Sequence, residues 1–452
     1  MTRLVVLATL ALLIYHTVPA QRMQRSREER PGAVLYEGIS RADGDSTHCL
    51  VDVPYRIDYE FFVPVKNSDT SIDWPFVRRG EVAVDLIDSV GVSRARAFTE
   101  VIIGQNSSER SQEQKQWYQG VSSFRVPPGS YTIQIEVTDL ESQRDFLEKH
   151  EKVRAQSLPP SRFRISTPVF VEGTPDALFP DTLKLQNFGG DLLFGEPGSL
   201  FLEVDPGNIP DTSLRVTWDI RQVGKESNEP AEVARDSSAR FVTLRHMLID
   251  TVDADPGVRY LVGTDSSSRI IGLLVPLPAE KLLLRLFTLD LNIFLGPHQE
   301  HRTITFRTVW PSMPFSLRDV DLALDALRFI VSPERLDSLK EGSFAERREH
   351  LETFWKLHDK TPGTARNELM TEYYRRVDYA MRNFGTLRVP DGSRTDRGKI
   401  YILYGPPTTM NRTLDPVAGF QETWVYERLG KRFVFVDRTK TGNYVLSPSN
   451  GS

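Results

Sequence analysis

A multidomain, mainly β chain is predicted: two tandem antiparallel β-sandwiches followed by a C-terminal α+β module, with helices packed on a small antiparallel sheet. Three observations predict it. Short apolar runs of strand length, several alternating with period two and separated by Gly and Pro, recur up to Pro311. After Pro311 the apolar residues fall three and four apart, the spacing of helices that bury one face. The 452 residues, at roughly 100 to 200 per domain, suit three separate cores.

Taken in order, residues 1–20 have the layout of a secretory signal: Arg3, an apolar run over 4–15, then Val18-Pro19-Ala20 ahead of Gln21. That run is shorter than the roughly 20 residues a membrane span needs. Residues 21–33 are charged and read as a flexible leader. The first sandwich is assigned to 34–157, with strands at 51–59, 61–65, 81–87, 98–104 and 131–137. In the last of these Tyr131, Ile133, Ile135 and Val137 alternate with polar residues after the Pro127-Pro128-Gly129-Ser130 turn. The second sandwich is assigned to 158–312, with strands at 163–171, 199–204, 214–220, 240–244, 258–262 and 302–309. The stretch 270–295 is too rich in Leu and Ile for a half-exposed strand, so it is a doubly covered strand pair or part of an interface.

The module is assigned to 313–452. Leu317, Val320, Leu324 and Leu327 mark a helix, Ser332-Pro333 starts another, and Ser343 with Glu346 forms a capping box ahead of a third. Thr364 opens a longer helix carrying Met370, Tyr374, Val377, Met381 and Phe384 on one face, closed by Gly385. Residues 399–404, 423–427 and 432–437 read as the small sheet.

Composition removes several function classes. A net charge of −5 with interspersed signs gives no footprint for nucleic acid or an anionic membrane face. Cys49 is the one cysteine, so neither an intrachain disulfide nor a cysteine-rich metal site is expected. Its distance from the cleavage point argues against a lipid anchor there. His298 and His301 lack the spacing of a helical metal motif and are read as loop surface. Asp319, Asp321 and Asp325 suit a helix start and lack the central glycine of a calcium loop. His358 is read as a helix C-terminal histidine, and no Gly-x-Ser-x-Gly turn is present. No cofactor or metal is expected.

The run FWKLHDKTPGTARNELMTEYYRRVDYAMRNFG followed by GSRTDRGKIYILYGPP resembles the GWxTD-domain family over roughly 316–446. Phe354, Trp355, Asp359, Thr361, Asn367, Tyr374, Arg376, Gly392, Thr395, Asp396, Gly398 and Gly405-Pro406-Pro407 carry the likeness. Ser393 stands where the family has the tryptophan that names it. The resemblance implies a bacterial source, so the Asn106-Ser107-Ser108 and Asn411-Arg412-Thr413 acceptor patterns are expected to be unmodified. No reaction comes with it.

Two readings of the module's polar residues follow. In one, Asp396 pairs with Arg375 or Arg376 and staples helix to sheet, so that Asp396→Ala costs about 3 to 5 kcal/mol. In the other, Asp359, Asn367, Arg376, Thr395 and Asp396 line one pocket for a ligand or partner. The expected role is an exported envelope protein, periplasmic or outside the cell, with the module docking a protein partner. The alternatives are a hydrolase at that polar cluster, and glycan binding at an exposed Trp117-Tyr118 pair following a polar run.

Overall fold

The computed structural model describes residues 33–42, 47–106, 116–155, 163–173, 180–186, 188–210, 213–223, 231–251, 257–264, 269–415 and 419–447. The signal segment, nearly all of the leader, and Ser107-Ser108 of the first acceptor pattern lie outside the described residues.

In the first β region, Cys49–Asp58 is the central strand of a four-stranded sheet. Val34–Tyr36 and Ile39–Ala42 lie along one edge and Trp117–Val126 along the other. A five-stranded antiparallel sheet faces it, in the order Arg144–Ala155, Gly129–Asp139, Phe76–Asp88, Ser93–Gln105, with Val65–Lys66 paired to the start of Phe76–Asp88. Every second residue of the central strand, Val51, Val53, Tyr55 and Ile57, enters a core shared with Val82, Val84, Ile133 and Ile135, as a period of two dictates.

The second β region pairs a seven-stranded sheet with a five-stranded one. The first runs from Arg164–Ile165 and Val169–Glu172 through Gly198–Asp205, Ile270–Leu277, Arg240–Thr251 and Val258–Thr264 to Thr182–Lys184. The second holds Leu192–Leu193, His298–Val309, Leu286–Leu295, Leu214–Gln222 and Ala231–Asp236. The dense stretch at 270–295 is two strands in two different sheets. Leu273, Val275 and Leu277 face the core between those sheets, while Leu274 faces the other way, into a cluster with Ile39, Phe201 and Tyr260. Ile270–Leu277 is therefore covered on both faces.

Ile39 belongs to the first β region, so that last cluster joins the two sandwiches into a stack of four sheets. The joint is also polar. Asp52 and Arg56, on the face of the central strand turned from the first core, are 1% and 6% exposed. Arg41 Nε donates to Asp52 Oδ2 at 2.6 Å, Ser123 Oγ donates to its other oxygen at 2.6 Å, and Glu203 lies 3.7 Å from Arg41. Burial pushes the Glu203 carboxyl up, although Arg41 and Arg164 counteract it.

The module has helices α1 (Val320–Ala326), α2 (Pro333–Lys340), α3 (Phe344–Leu357), α4 (Glu368–Asn383) and α5 (Asp396–Tyr404). They pack on an antiparallel sheet of Thr409–Asp415, Gly419–Tyr426, Lys431–Asp437 and Val445–Leu446. The core holds Leu324, Trp355, Tyr374, Val377, Tyr401 and Trp424. Residues 399–404, expected as a strand, are α5. Thr395 caps its start and Gly405, at φ 78°, ends it, which overrides the β preference of Ile400, Tyr401 and Ile402. The long helix starts three residues later than expected, because Asn367 rather than Thr364 takes the cap, and its last N–H bond ends on Phe384. The Ser343–Glu346 capping box is formed.

Candidate functional site

The polar residues expected to gather in the module are spread over four places. Asp359 follows α3 and accepts from Thr361 N at 2.8 Å, closing a turn. Asn367 is buried at the start of α4: its oxygen accepts from Met370 N at 2.9 Å, and its amide donates to Trp355 O at 2.8 Å. Arg375 and Arg376 both pair with Glu372 on their own helix, at 2.8 and 2.7 Å. Asp396 does not meet either arginine, because that carboxylate has claimed them. Its Oδ2 accepts from Leu446 N at 2.7 Å and ties α5 to the last strand.

The turn that carries the family pattern is a close-packed corner. Thr395 Oγ1 donates to Gly392 O at 2.8 Å and accepts from Gly398 N at 3.1 Å. A Cβ on Gly392 would lie 2.2 Å from Ala380 O, and one on Gly398 would lie 2.1 Å from Gly392 O. Both positions therefore need glycine. Ser393, 1% exposed, donates to Asp391 Oδ1 at 2.7 Å and meets the Arg328 guanidinium at 3.3 Å. Arg328 is thus the large side chain that stands against the serine at the family's tryptophan position. Next to the corner, buried Glu422 accepts from Trp424 Nε1 at 2.7 Å and Arg412 at 2.9 Å, with Arg397 3.5 Å away.

Other candidates resolve locally. His298 and His301 lie on the strand His298–Val309 rather than a loop, and a separation of three residues turns them to opposite faces. The His301 ring sits 3.4 Å from Asp290. His358 Nδ1 donates to Phe354 O at 2.7 Å, as expected for a helix end. Asp319 caps α1 through Asp321 N and Leu322 N. Asp321 pairs with Arg347 at 2.8 Å and Asp325 with Lys340 at 2.6 Å, so charges are matched across the shallow depression they line. Trp117 and Tyr118 do not form an exposed pair. As neighbours on one strand they point to opposite faces: Tyr118 packs near Tyr55, at 6.4 Å between ring centroids, and Trp117 meets Phe188 edge to face at 6.4 Å.

That face of Trp117 belongs to a cleft of about 500 Å³ where both β regions and the module converge. Phe188, Phe194, Trp310 and Trp117 supply its aromatic wall, with Phe194 and Trp310 in contact at 5.2 Å. On the module side, Arg366 forms an ion pair with Glu196, and Ala365 N donates to Glu280 O at 2.6 Å. Gly195, at φ 70°, would place a Cβ 2.5 Å from Arg366 Cβ, so this approach also requires glycine.

One buried donor in the cleft lining lacks an acceptor, and so does a second behind its aromatic wall. Gln186 is 1% exposed; its oxygen accepts from Leu193 N at 2.7 Å, but its Nε2 has no acceptor. Arg56 sits behind the wall, its guanidinium 3.9 Å from the Phe188 ring centroid and 5.6 Å from that of Trp117. Its Nε has no acceptor, and no ion pair is formed to it among the described residues. Burial pushes the Arg56 guanidinium down to about 10, with only the charge of Glu172 opposing, and Glu172 itself pairs with Lys184 at 3.3 Å. Sequence reading missed Arg56, Gln186, Phe194 and Arg366, because they come from segments far apart in the chain.

Residues 295–449 match the family model of the GWxTD domain, so the chain contains a GWxTD domain over about its last third. No curated protein matches the chain. Among solved structures, one titled BspA_C_WT is similar at 6% identity and a TM-score of 0.16, over 60% of this chain and 100% of that one. Another, of manganese lipoxygenase of Gaeumannomyces graminis and zonadhesin of Komagataella pastoris, reaches 11% identity and a TM-score of 0.15, over 60% and 92%. Neither likeness bears on fold or function.

Proposed function

We propose that the chain is an exported, non-catalytic protein of the bacterial envelope, in which the β-sandwiches and the GWxTD domain form one binding unit that holds a protein partner in the cleft. The observation that carries this reading is the convergence of all three regions on an aromatic recess whose lining includes one unsatisfied buried donor, the Gln186 amide. Aromatic anchors around a few fixed polar groups are the composition of binding sites in general. The module's own polar residues speak against hydrolysis: Asn367, Thr395 and Asp396 are occupied by backbone groups. Export rests on the signal layout of residues 1–20.

A photoreactive residue at Ser312, exposed on the cleft rim, tests the reading in the native envelope. One discrete cross-linked protein is expected from Ser312, and none from the same group placed at the fully exposed Leu387. The same species from both positions, or none from Ser312, would remove the cleft as the docking site.

A further inference from the structure

We infer that the edge strand Ser93–Gln105 of the first β region joins a second copy of this chain, pairing antiparallel with its own equivalent about a two-fold axis at Phe98. The inference is independent of the cleft. Ser93–Gln105 pairs with Phe76–Asp88 along one side, in unbroken register from Ala95 to Gln105. Along its other side no strand is paired among the described residues, so every second residue turns its N–H and C=O outward. The opposite edge of the same sheet is built to refuse a partner: Arg144–Ala155 carries seven charged residues in twelve and a register shift. Ser93–Gln105 has three, Arg94, Arg96 and Glu100, and presents Phe98 and Ile102 at 60% and 46% exposure.

The order of the side chains selects a second copy as the occupant. Ala95, Ala97, Val101 and Ile103 face the core of the first region, so Arg94, Arg96, Phe98, Glu100 and Ile102 share the outer face. An antiparallel pair centred on Phe98 sets each Arg96 opposite the Glu100 of the other copy and the two Phe98 rings opposite each other. On the inner face the same register sets Ala97 against Thr99 and Ala95 against Val101, so small side chains meet there. Moving the axis to Arg96 or to Glu100 puts like charges opposite one another. Within one copy Glu100 lies opposite Glu81, and no ion pair to it is formed among the described residues. Arg96 sits over the Phe98 ring at 4.7 Å and reaches Glu136 only at 3.8 Å, with both side chains nearly half-exposed. Both charges are therefore available to a second copy. They fix the register, while the joined backbones and the apolar side chains supply the affinity.

The test follows molecular mass by sedimentation equilibrium for the full chain without residues 1–20, from about 1 to 100 μM. A reversible equilibrium between monomer and dimer is expected. Phe98→Lys puts two cations at the axis, and Arg96→Glu and Glu100→Arg each set like charges opposite one another. Each should weaken the dimer about tenfold or more and leave the far-UV circular dichroism unchanged, since all three side chains are exposed. The double variant Arg96→Glu with Glu100→Arg restores opposite charges in the same register and should recover the association of the parent. A parent that stays monomeric throughout, which would leave the edge to an unlike chain, would overturn the inference. So would association unchanged in all three single variants, or a double variant that associates no better than the singles.

Discussion

Glu37, between the first two strands, carries a carboxyl whose charged form the stack disfavours. Burial, and then the charges of Glu151 and Asp191, raise its carboxyl from 4.5 to about 7. Its surface is only half-buried, and that residual solvent contact moderates the energetic effect. An acid with a higher pKa folded than unfolded binds more protons in the folded state between the two values. Stability from this group is therefore present at low pH and is lost as pH rises from about 4.5 to about 7. The loss should amount to about 2 kcal/mol. Thermal melts of the parent and Glu37→Gln across pH 5 to 8 check it: the variant's melting temperature should lack the fall that the parent shows over this window. Parallel curves would mean that the carboxyl is ionised throughout. None of this was readable beforehand, since Glu37 owes its environment to Glu151 and Asp191, which reach it from strand and loop segments more than 100 residues further along the chain.

At the scale of elements, the corner between α4 and α5 separates residues that the family pattern presents as equals. Gly398→Ala pushes a methyl group into the Gly392 carbonyl and should destabilise the protein by about 3 kcal/mol. Asp396→Ala removes one bond to Leu446 N and should cost about 1 kcal/mol, not the 3 to 5 of a stranded arginine. Denaturant melts followed by a signal from the module should rank them in that order, and the reverse ranking would return Asp396 to an ion pair. Helices whose caps and apolar spacing agree, as with Ser343 and Glu346 ahead of α3, were legible in the sequence. In α5 two local signals conflict. Lys399-Ile400-Tyr401-Ile402-Leu403-Tyr404 has strand composition, and the outcome is decided at its ends, by Thr395 and Gly405. The expected pairing of Asp396 failed for a related reason: spacing along the chain showed which arginines lay within reach, but not that Glu372, a turn away, would take both.

At the scale of the whole molecule, the GWxTD match begins at Leu295, inside the second β region rather than at the first residue of the module. The strand His298–Val309 pairs with Leu286–Leu295 and Leu192–Leu193, whereas the module core draws its members from Leu317 to Leu446. A fragment of residues 313–452 should therefore elute as a folded monomer in gel filtration. One starting at 295 carries a strand stripped of its neighbours and should self-associate; the opposite behaviour would place the strand within the module's own folding unit. Alternating strands made the β-rich character plain in the sequence. The stacking of the two sandwiches was not, because the residues that join them, Ile39, Asp52 and Arg41 against Glu203 and Tyr260, look like ordinary members of separate strands. The cleft was hidden for the same reason. Its rims are tied together by Ala365 to Glu280 and by Arg366 to Glu196, so its width is set before anything enters. A guest gains no grip from walls drawing in around it and pays nothing for such movement. In the proposed docking role, recognition would work as a gauge, admitting by size first, and selectivity should show itself as outright refusal of bulkier side chains rather than as a graded loss of hold.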